Sequence, residues 1–403
     1  MASNKILFKN QAGEDLSARL DLPIDQKPEA FAVFAHCFTC NKNLTAIRNI
    51  ARALNRHGFG VLTFDFTGLG ESEGDFTETD FSSNIQDLVA AAEYLAQDHQ
   101  APKLLIGHSL GGAAAIYAGK AIESIQAIAT IGAPSSPEHV QHLLGSSLAE
   151  IAESGVATVN IGGRPFKIKK QFIDDITQHK MPETVRSLRK ALLVLHSPQD
   201  RTVGIDNAGE IYAAARHPKS FISLDGADHL LGNKADSNYV GEIIASWAER
   251  YVEFPEKKEL RSHRKVLARI GKEGFTTELK AGKHNLYADE PESVGGNDLG
   301  PSPYDLLMTA LGSCTAMTIR MYADRKKWPV DEINVHLDHM KVHAHDCDEC
   351  DSASSKIDHI EKSIEFKGDL DEKQKNRLLE IADKCPVHRT LQGDIKITTE
   401  LIE

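Results

Sequence analysis

Gly107-His-Ser-Leu-Gly-Gly112 places a serine between glycines where the apolar run 103–106 gives way to a stretch of small residues, Ala113 to Ala115. A serine held on a strand-to-helix turn needs glycine on both sides, because the turn is strained and the two backbones nearly touch. In that context Ser109 reads as a nucleophile; a plain tight turn is the structural alternative. A serine hydroxyl needs a base, and the base needs an orienting acid; where the serine sits on such a strand-to-helix turn of an α/β sheet, the order along the chain is serine, acid, histidine. After the run 191–195, His196-Ser-Pro-Gln-Asp200 offers Asp200. After Leu224, Asp225-Gly-Ala-Asp-His229 offers His229, with Asp228 as a rival acid. Both segments follow strand ends, where an open α/β sheet gathers its ligands. Adjacent side chains diverge, so Asp200 is preferred to Asp228. His36-Cys-Phe-Thr-Cys40 follows the run 30–35, so the N–H groups of Phe38 and Leu110 are the expected oxyanion donors. Cys37 and Cys40 are spaced as a CxxC pair, but redox pairs of that spacing open a helix in a thioredoxin-like pattern that is missing here. Two small packed thiols are the favoured expectation, and a disulfide the alternative.

A second set of residues lies further along. Cys314 sits midway along an apolar, small-residue helical pattern, and Cys385 opens Cys385-Pro-Val-His-Arg-Thr-Leu391. Pro386 suits a first helical turn, so Cys385 falls near an N-cap, where the helix dipole favours a thiolate. By composition alone both are equally well inert buried cysteines. In His343-Ala-His-Asp-Cys-Asp-Glu-Cys350, the residues His343, His345 and Cys347 share one face of an extended strand, with Cys350 spaced as a partner. That is a zinc-type donor set. The neighbours Asp346, Asp348, Glu349 and Asp351 favour a solvated acidic loop instead.

The elements that must position these residues fall into two grammars. From 30 to 250, strand candidates (30–35, 61–64, 103–106, 125–131, 191–195, 220–224) alternate with helical patterns such as 82–97, 111–122 and 237–251. This rotation predicts an α/β architecture, a doubly wound, mostly parallel sheet with helices on both faces. The segment of about 134–190 breaks the rhythm and predicts a small cap. Residues 253–265 are charged and read as a linker between domains at 1–252 and 266–403. The second domain predicts an α+β order. Strands at 266–270, 276–279 and 284–288 precede a helix over 303–327, strands at 333–343 and 357–367, a helix at 371–384 and a last strand at 394–401.

The 403 residues suit two or three domains, and 41% hydrophobic with 26% charged residues is ordinary globular composition. A net charge of −12 leaves no electrostatic footprint for nucleic acid. No apolar run approaches the roughly 20 residues that span a bilayer, and the start has no apolar signal core. Six cysteines in so long a chain are not a disulfide scaffold, so a reducing cytoplasm is expected.

The first 250 residues resemble the α/β-hydrolase family on these motifs. Asp65-Phe-Thr-Gly-Leu-Gly-Glu-Ser72 and Ile161-Gly-Gly-Arg164 are similar to its cinnamoyl (feruloyl) esterase branch, although Cys37 stands where that family usually has glycine. Residues 266–401 resemble the OsmC-like branch of the OsmC/Ohr thiol-dependent hydroperoxide reductases. The resemblance implies that Cys314 is the peroxidatic thiol, that Cys385 resolves it as a disulfide, and that the domain forms a homodimer. That family also uses a glutamate and an arginine. Tyr304 stands in the glutamate's place beside Asp305, and none of Arg320, Arg325 or Arg389 is singled out. The expected function is thus a serine esterase fused to a peroxidase, with small-molecule ester and hydroperoxide substrates, a dithiol reductant and no cofactor. The alternatives are a non-catalytic binding or dimerisation module, or a metal sensor through the 343–350 loop.

Overall fold

The computed structural model describes every residue except 1–2, 24–26, 39, 146, 162–163, 255–259, 261, 273, 344–355 and 403. The chain divides into two compact units, Met1–Glu259 and Leu260–Glu403.

Short runs that are apolar throughout must be covered on both faces, and they build the first unit's sheet. Its strands are β1 (Ser3–Lys9), β2 (Asp15–Asp21), β3 (Ala30–Ala35), β4 (Phe59–Phe64), β5 (Leu104–His108) and β6 (Ala127–Ile131). A separate hairpin, β7 (Val156–Ile161) and β8 (Arg164–Lys169), belongs to the cap, and β9 (Ala191–His196) with β10 (Lys219–Ser223) completes the sheet. The spatial order is β1-β2-β4-β3-β5-β6-β9-β10. Strands β3, β4, β5, β6, β9 and β10 run parallel, and β1 and β2 are added antiparallel at one edge. Sequence reading passed over this edge hairpin. Its signal is a period-two alternation, with Phe8, Leu16, Ala18 and Leu20 buried between charged neighbours.

Helices α1 (Thr45–Arg56), α2 (Phe81–Asp98) and α3 (Leu110–Ala121) follow β3, β4 and β5. The cap adds α4 (Gln141–Leu144), α5 (Ser147–Ser154), α6 (Lys170–Gln178) and α7 (Met181–Ser187); α8 (Asp206–Ala214) and α9 (Lys234–Ala248) finish the unit. One face of the sheet is covered by Ile50 and Leu54 of α1 with Val240 and Ile244 of α9. The other is covered by Leu88 and Leu95 of α2, Ile116 of α3 and the cap's Phe172 and Ile176. The cap is latched to α2 by Asp175, which accepts from the Ser82 N–H at 2.8 Å and from its hydroxyl at 2.7 Å.

The second unit holds a three-stranded antiparallel sheet, β11 (Val266–Ile270), β12 (Thr277–Ala281) and β13 (His284–Ala288). The long helix α10 (Pro303–Lys326) follows, then the antiparallel pair β14 (Glu332–His343) and β15 (Lys356–Lys367), α11 (Glu372–Ala382) and α12 (Pro386–Gln392). Its α10–α11 core is small: Ile319, Ala323, Val330, Leu370, Leu378 and Ala382. The expected last strand is absent. Residues 394–402 lie outside any strand, with Ile395, Ile397, Leu401 and Ile402 exposed, because a strand needs an edge to pair with and this segment meets none.

One surface cluster ties α1 to α9. His57 bonds Glu249 at 2.6 Å and Glu242 at 3.0 Å, and Arg56 also pairs with Glu242. Burial opposes the charge on His57, but the two carboxylates outweigh it and raise its pKa. The protonated ring is therefore favoured by folding. Its stabilisation is complete below the unfolded value of about 6.5 and is lost as pH rises through the folded one. Urea unfolding should show His57→Ala costing most at pH 5.5, with the gap to wild type shrinking by pH 9; a gap independent of pH contradicts the assignment.

Candidate functional sites

Ser109 links β5 to α3 with φ of 56°, a conformation that non-glycine residues rarely hold. Its N–H donates to the Ile131 carbonyl at 2.8 Å, which pins the turn to the end of β6. Behind it, His229 Nδ1 donates to Asp200 Oδ2 at 2.6 Å. The other Asp200 oxygen accepts from the N–H groups of Thr202 (2.8 Å) and Val203 (3.0 Å). Burial pushes the Asp200 carboxyl upward, but these donors, His229 foremost, prevail and hold it below its usual range. Asp228, the rival acid, is turned away and accepts from Leu230 and Gly232 N–H groups. Asp200 and His229, from two separate loops, thus meet as a carboxylate and an imidazole, and Ser109 lies on the turn next to His108, which bonds the His229 carbonyl.

Two further histidines brace the pair. His108 Nε2 donates to the His229 carbonyl at 2.6 Å, and its ring lies 4.9 Å from that of His229. Burial, then the neighbouring His229, lowers the His108 pKa to about 3, so it is a neutral spacer. His196 Nε2 donates to the Val203 carbonyl at 2.8 Å, fixing the loop that carries Asp200. Neither was singled out from sequence, although both sit at strand ends beside chosen residues.

The Phe38 and Leu110 N–H groups carry no hydrogen bond among the described residues, as oxyanion donors in waiting should. The Phe38 ring lies 5.3 Å from Phe172 and 5.6 Å from Phe76, which in turn meets Phe166 at 5.2 Å. These rings come from a loop, a turn and the cap, so no sequence periodicity could have joined them. Cys37 and Cys40 correct an expectation, for they form a disulfide and not two packed thiols. The Cys40 N–H closes a turn on the Cys37 carbonyl at 3.1 Å and brings the Cα atoms to 5.3 Å, within disulfide range.

In the second unit Cys314 is half-buried on α10, and Cys385 is fully buried as the N-cap of α12. The Cys385 sulfur accepts from the His388 N–H at 3.3 Å and from the hydroxyl of Thr315, the residue after Cys314, at 3.6 Å. Burial acts to raise the Cys385 pKa; these donors, led by the His388 N–H, bring it below the ordinary thiol value. The α10 turn that carries Cys314 therefore lies against Cys385. Arg320 is spent on the Val330 and Asp331 carbonyls, and Arg325 lies over Tyr322, which leaves Arg389 on α12. Tyr304 stacks on His339 at 4.5 Å, and Asp305 caps α10 through Ser302. Ten residues of helix, about 15 Å, separate them from Cys314. His343 ends β14, whereas His345, Cys347 and Cys350 lie outside the described residues. Among the described residues no cluster of three His, Cys, Asp or Glu side chains is arranged for a metal, and no helix is long and apolar enough to cross a membrane.

The first unit matches the crystal structure of an esterase domain from a Rhodothermus marinus protein at 48% identity and TM-score 0.53, covering 62% of this chain and 99% of that one. Residues 295–400 match the family model of OsmC-like proteins. The chain belongs to the α/β-hydrolase family and carries an OsmC-like domain behind it. The hydrolase half also matches the serine aminopeptidase S33 family model over residues 26–160. Human protein ABHD12B is 29% identical over 177 residues, which cover 42% of this chain and 45% of that protein, so the chain spans less than half of this curated relative. Est1E from Butyrivibrio proteoclasticus, solved with ferulic acid bound, is similar in fold at 20% identity and TM-score 0.50, over 61% of this chain and 98% of Est1E.

Gly132 of this hydrolase, missed from sequence although it directly follows β6, closes the pair from behind. Its φ is +54°, and an added Cβ would lie 3.2 Å from Asp200 Oδ2 and 3.3 Å from His229 Nδ1. Gly132→Val should displace the imidazole and lower kcat by about ten- to hundredfold, as small misplacements do. Hydrolysis rates corrected for folded fraction by circular dichroism check this; an unchanged kcat removes the pair from the active site.

Proposed function

We propose that the hydrolase half is a serine esterase acting on carboxylic esters through an acyl-enzyme on Ser109. His229, with Nδ1 held by Asp200, takes the Ser109 proton as Oγ attacks the acyl carbon. The Phe38 and Leu110 N–H groups receive the developing oxyanion, a contribution of about 10²–10³ in rate per donor in comparable sites. His229 then protonates the departing alcohol, and water repeats the sequence to release the acid. The 2.6 Å His229–Asp200 bond beside the strained Ser109 turn is the observation that carries this reading. The wall of Phe38, Phe76, Phe166 and Phe172 favours aromatic and medium-length acyl groups, and the ferulic acid bound by Est1E on the same fold agrees with it. A series of p-nitrophenyl esters should show turnover, and Ser109→Ala should lower kcat by roughly 10⁴–10⁶. Ester hydrolysis surviving that change sinks the assignment.

The OsmC-like half reads as a thiol-dependent hydroperoxide reductase. The Cys314 thiolate attacks the peroxide O–O bond, becoming a sulfenic acid and releasing the alcohol. Cys385 then displaces water to form the disulfide, and an external dithiol reduces it. The hydrogen bond from Thr315, next to Cys314, to the Cys385 sulfur supports this order of events. The thin core, with Met317 (65% exposed) and Met321 (73% exposed) on α10 and an unpaired apolar tail, supports burial against a second copy of the chain. A second reading, a binding and dimerisation module, is favoured by the aromatic stack at Tyr304 where the family glutamate would stand. Titration separates the two. One equivalent of cumene hydroperoxide should consume two thiols and link Cys314 to Cys385, Cys314→Ser should abolish this, and the chain should sediment as a dimer. Thiols unchanged by peroxide leave the module reading.

A further inference from the structure

The segment between β3 and α1 carries one oxyanion donor and is tied down at several points. His36 Nδ1 donates to the Cys37 carbonyl at 2.8 Å. Lys42 donates to Asp65 through its backbone N–H at 2.6 Å and its ammonium at 2.5 Å, and Lys42, Asp65 and His36 are all buried. Arg19 donates to the Lys42 carbonyl at 3.2 Å. These anchors hold the two ends of the segment. Phe38 lies between them, and the Cys37–Cys40 disulfide closes a ring over it. Cys37 is 3% exposed, whereas Cys40 is only half-buried, so Cys40 is the end of the bond nearer to solvent. The opposite side of the segment cannot give way, because the Gly111 backbone of α3 packs directly on the His36 and Ala35 carbonyls.

We propose that Cys37–Cys40 is a reversible thiol–disulfide site for small dithiols, and that its oxidation state sets the rate of ester hydrolysis by fixing the Phe38 N–H. This rests on the esterase reading above. A dithiol attacks Cys40 Sγ, the S–S bond breaks, and Cys37 leaves as a thiolate that takes up a proton. The second thiol of the reagent then attacks the mixed disulfide and releases Cys40. The reagent ends as its cyclic disulfide, and the protein gains two electrons and two protons. In the oxidised state the closed ring limits the Phe38 backbone to its present direction, so the donor is preorganised. In the reduced state Phe38 regains its φ and ψ freedom, and the N–H must be ordered anew in each transition state. The Phe38 ring, stacked on Phe172 and Phe76, moves with it, so KM for aromatic esters changes as well.

The test uses the full chain and p-nitrophenyl esters. Samples are poised at graded ratios of reduced to oxidised dithiothreitol, and alkylation with peptide mapping reports the state of each cysteine. The expected result is a kcat that falls at least fivefold as Cys37 and Cys40 become alkylated, and recovers on reoxidation. A Cys37→Ser/Cys40→Ser chain should sit at the reduced rate at every ratio. Equal rates, within twofold, for mapped oxidised and reduced samples would overturn the proposal, as would a bond that excess dithiothreitol leaves intact. A redox response that persists in the double variant assigns the effect to another cysteine and also overturns it. The absence of ester hydrolysis in both mapped states overturns the esterase reading itself, and so is told apart from failure of the switch.

Discussion

The N-terminus of α3 lies so close to the tips of β3 and β5 that no side-chain carbon fits between them, and the first site is built on that closeness. A Cβ on Gly107 would stand 2.3 Å from the Gly111 carbonyl oxygen, and one on Gly111 would stand 2.3 Å from the His36 carbonyl oxygen. The approach leaves Ser109 to make the turn between strand and helix, at a positive φ that side chains rarely adopt. It also fixes where the oxyanion segment begins, since His36 and Cys37 leave β3 at the point of contact. The loops after β9 and β10, which carry Asp200 and His229, leave the sheet on the same side as this turn because parallel strands end together.

Much of this was legible in the sequence for a simple reason. Strands buried on both faces are apolar at every position, so β3, β4, β5, β6 and β9 announce themselves, and the residue types that follow each are few. Ser109, Asp200 and His229 are candidates by their places after such runs, and the preference for Asp200 over Asp228 agrees with the bond that Asp200 makes to His229. What escaped has equally physical causes. The β1–β2 edge is half-exposed, so its charges obscure the alternation. The Cys37–Cys40 bond depends on a local turn that composition does not encode. The aromatic wall assembles residues as far apart as Phe38 and Phe172, with no period to connect them.

The second unit shows the opposite balance. Its order of elements was readable, since α10 carries a capping box at Ser302 and Asp305 and β14–β15 keep a regular twelve-residue register. The tail at 394–402 failed as a strand because strand formation is a property of two edges, and an apolar alternation such as Ile395 and Ile397 states a need without supplying the partner. The meeting of Cys314 and Cys385 was implied by family likeness. The structure adds the setting of the second thiol, for the His388 N–H of α12 and the hydroxyl of Thr315, next to Cys314, both donate to the Cys385 sulfur.

Phe38 serves two masters, and this bears on how such an enzyme could be redesigned. Its backbone lies in the oxyanion segment, while its ring forms one side of the aromatic wall. Selection for a new acyl preference that begins at Phe38 therefore risks catalytic power with every change of shape. Phe166 lies on the cap hairpin, away from the segment that holds the donors, and meets the wall only through Phe76. A change of shape at Phe166 alters the wall without moving the Phe38 backbone, so the cap hairpin is the place to begin such a redesign.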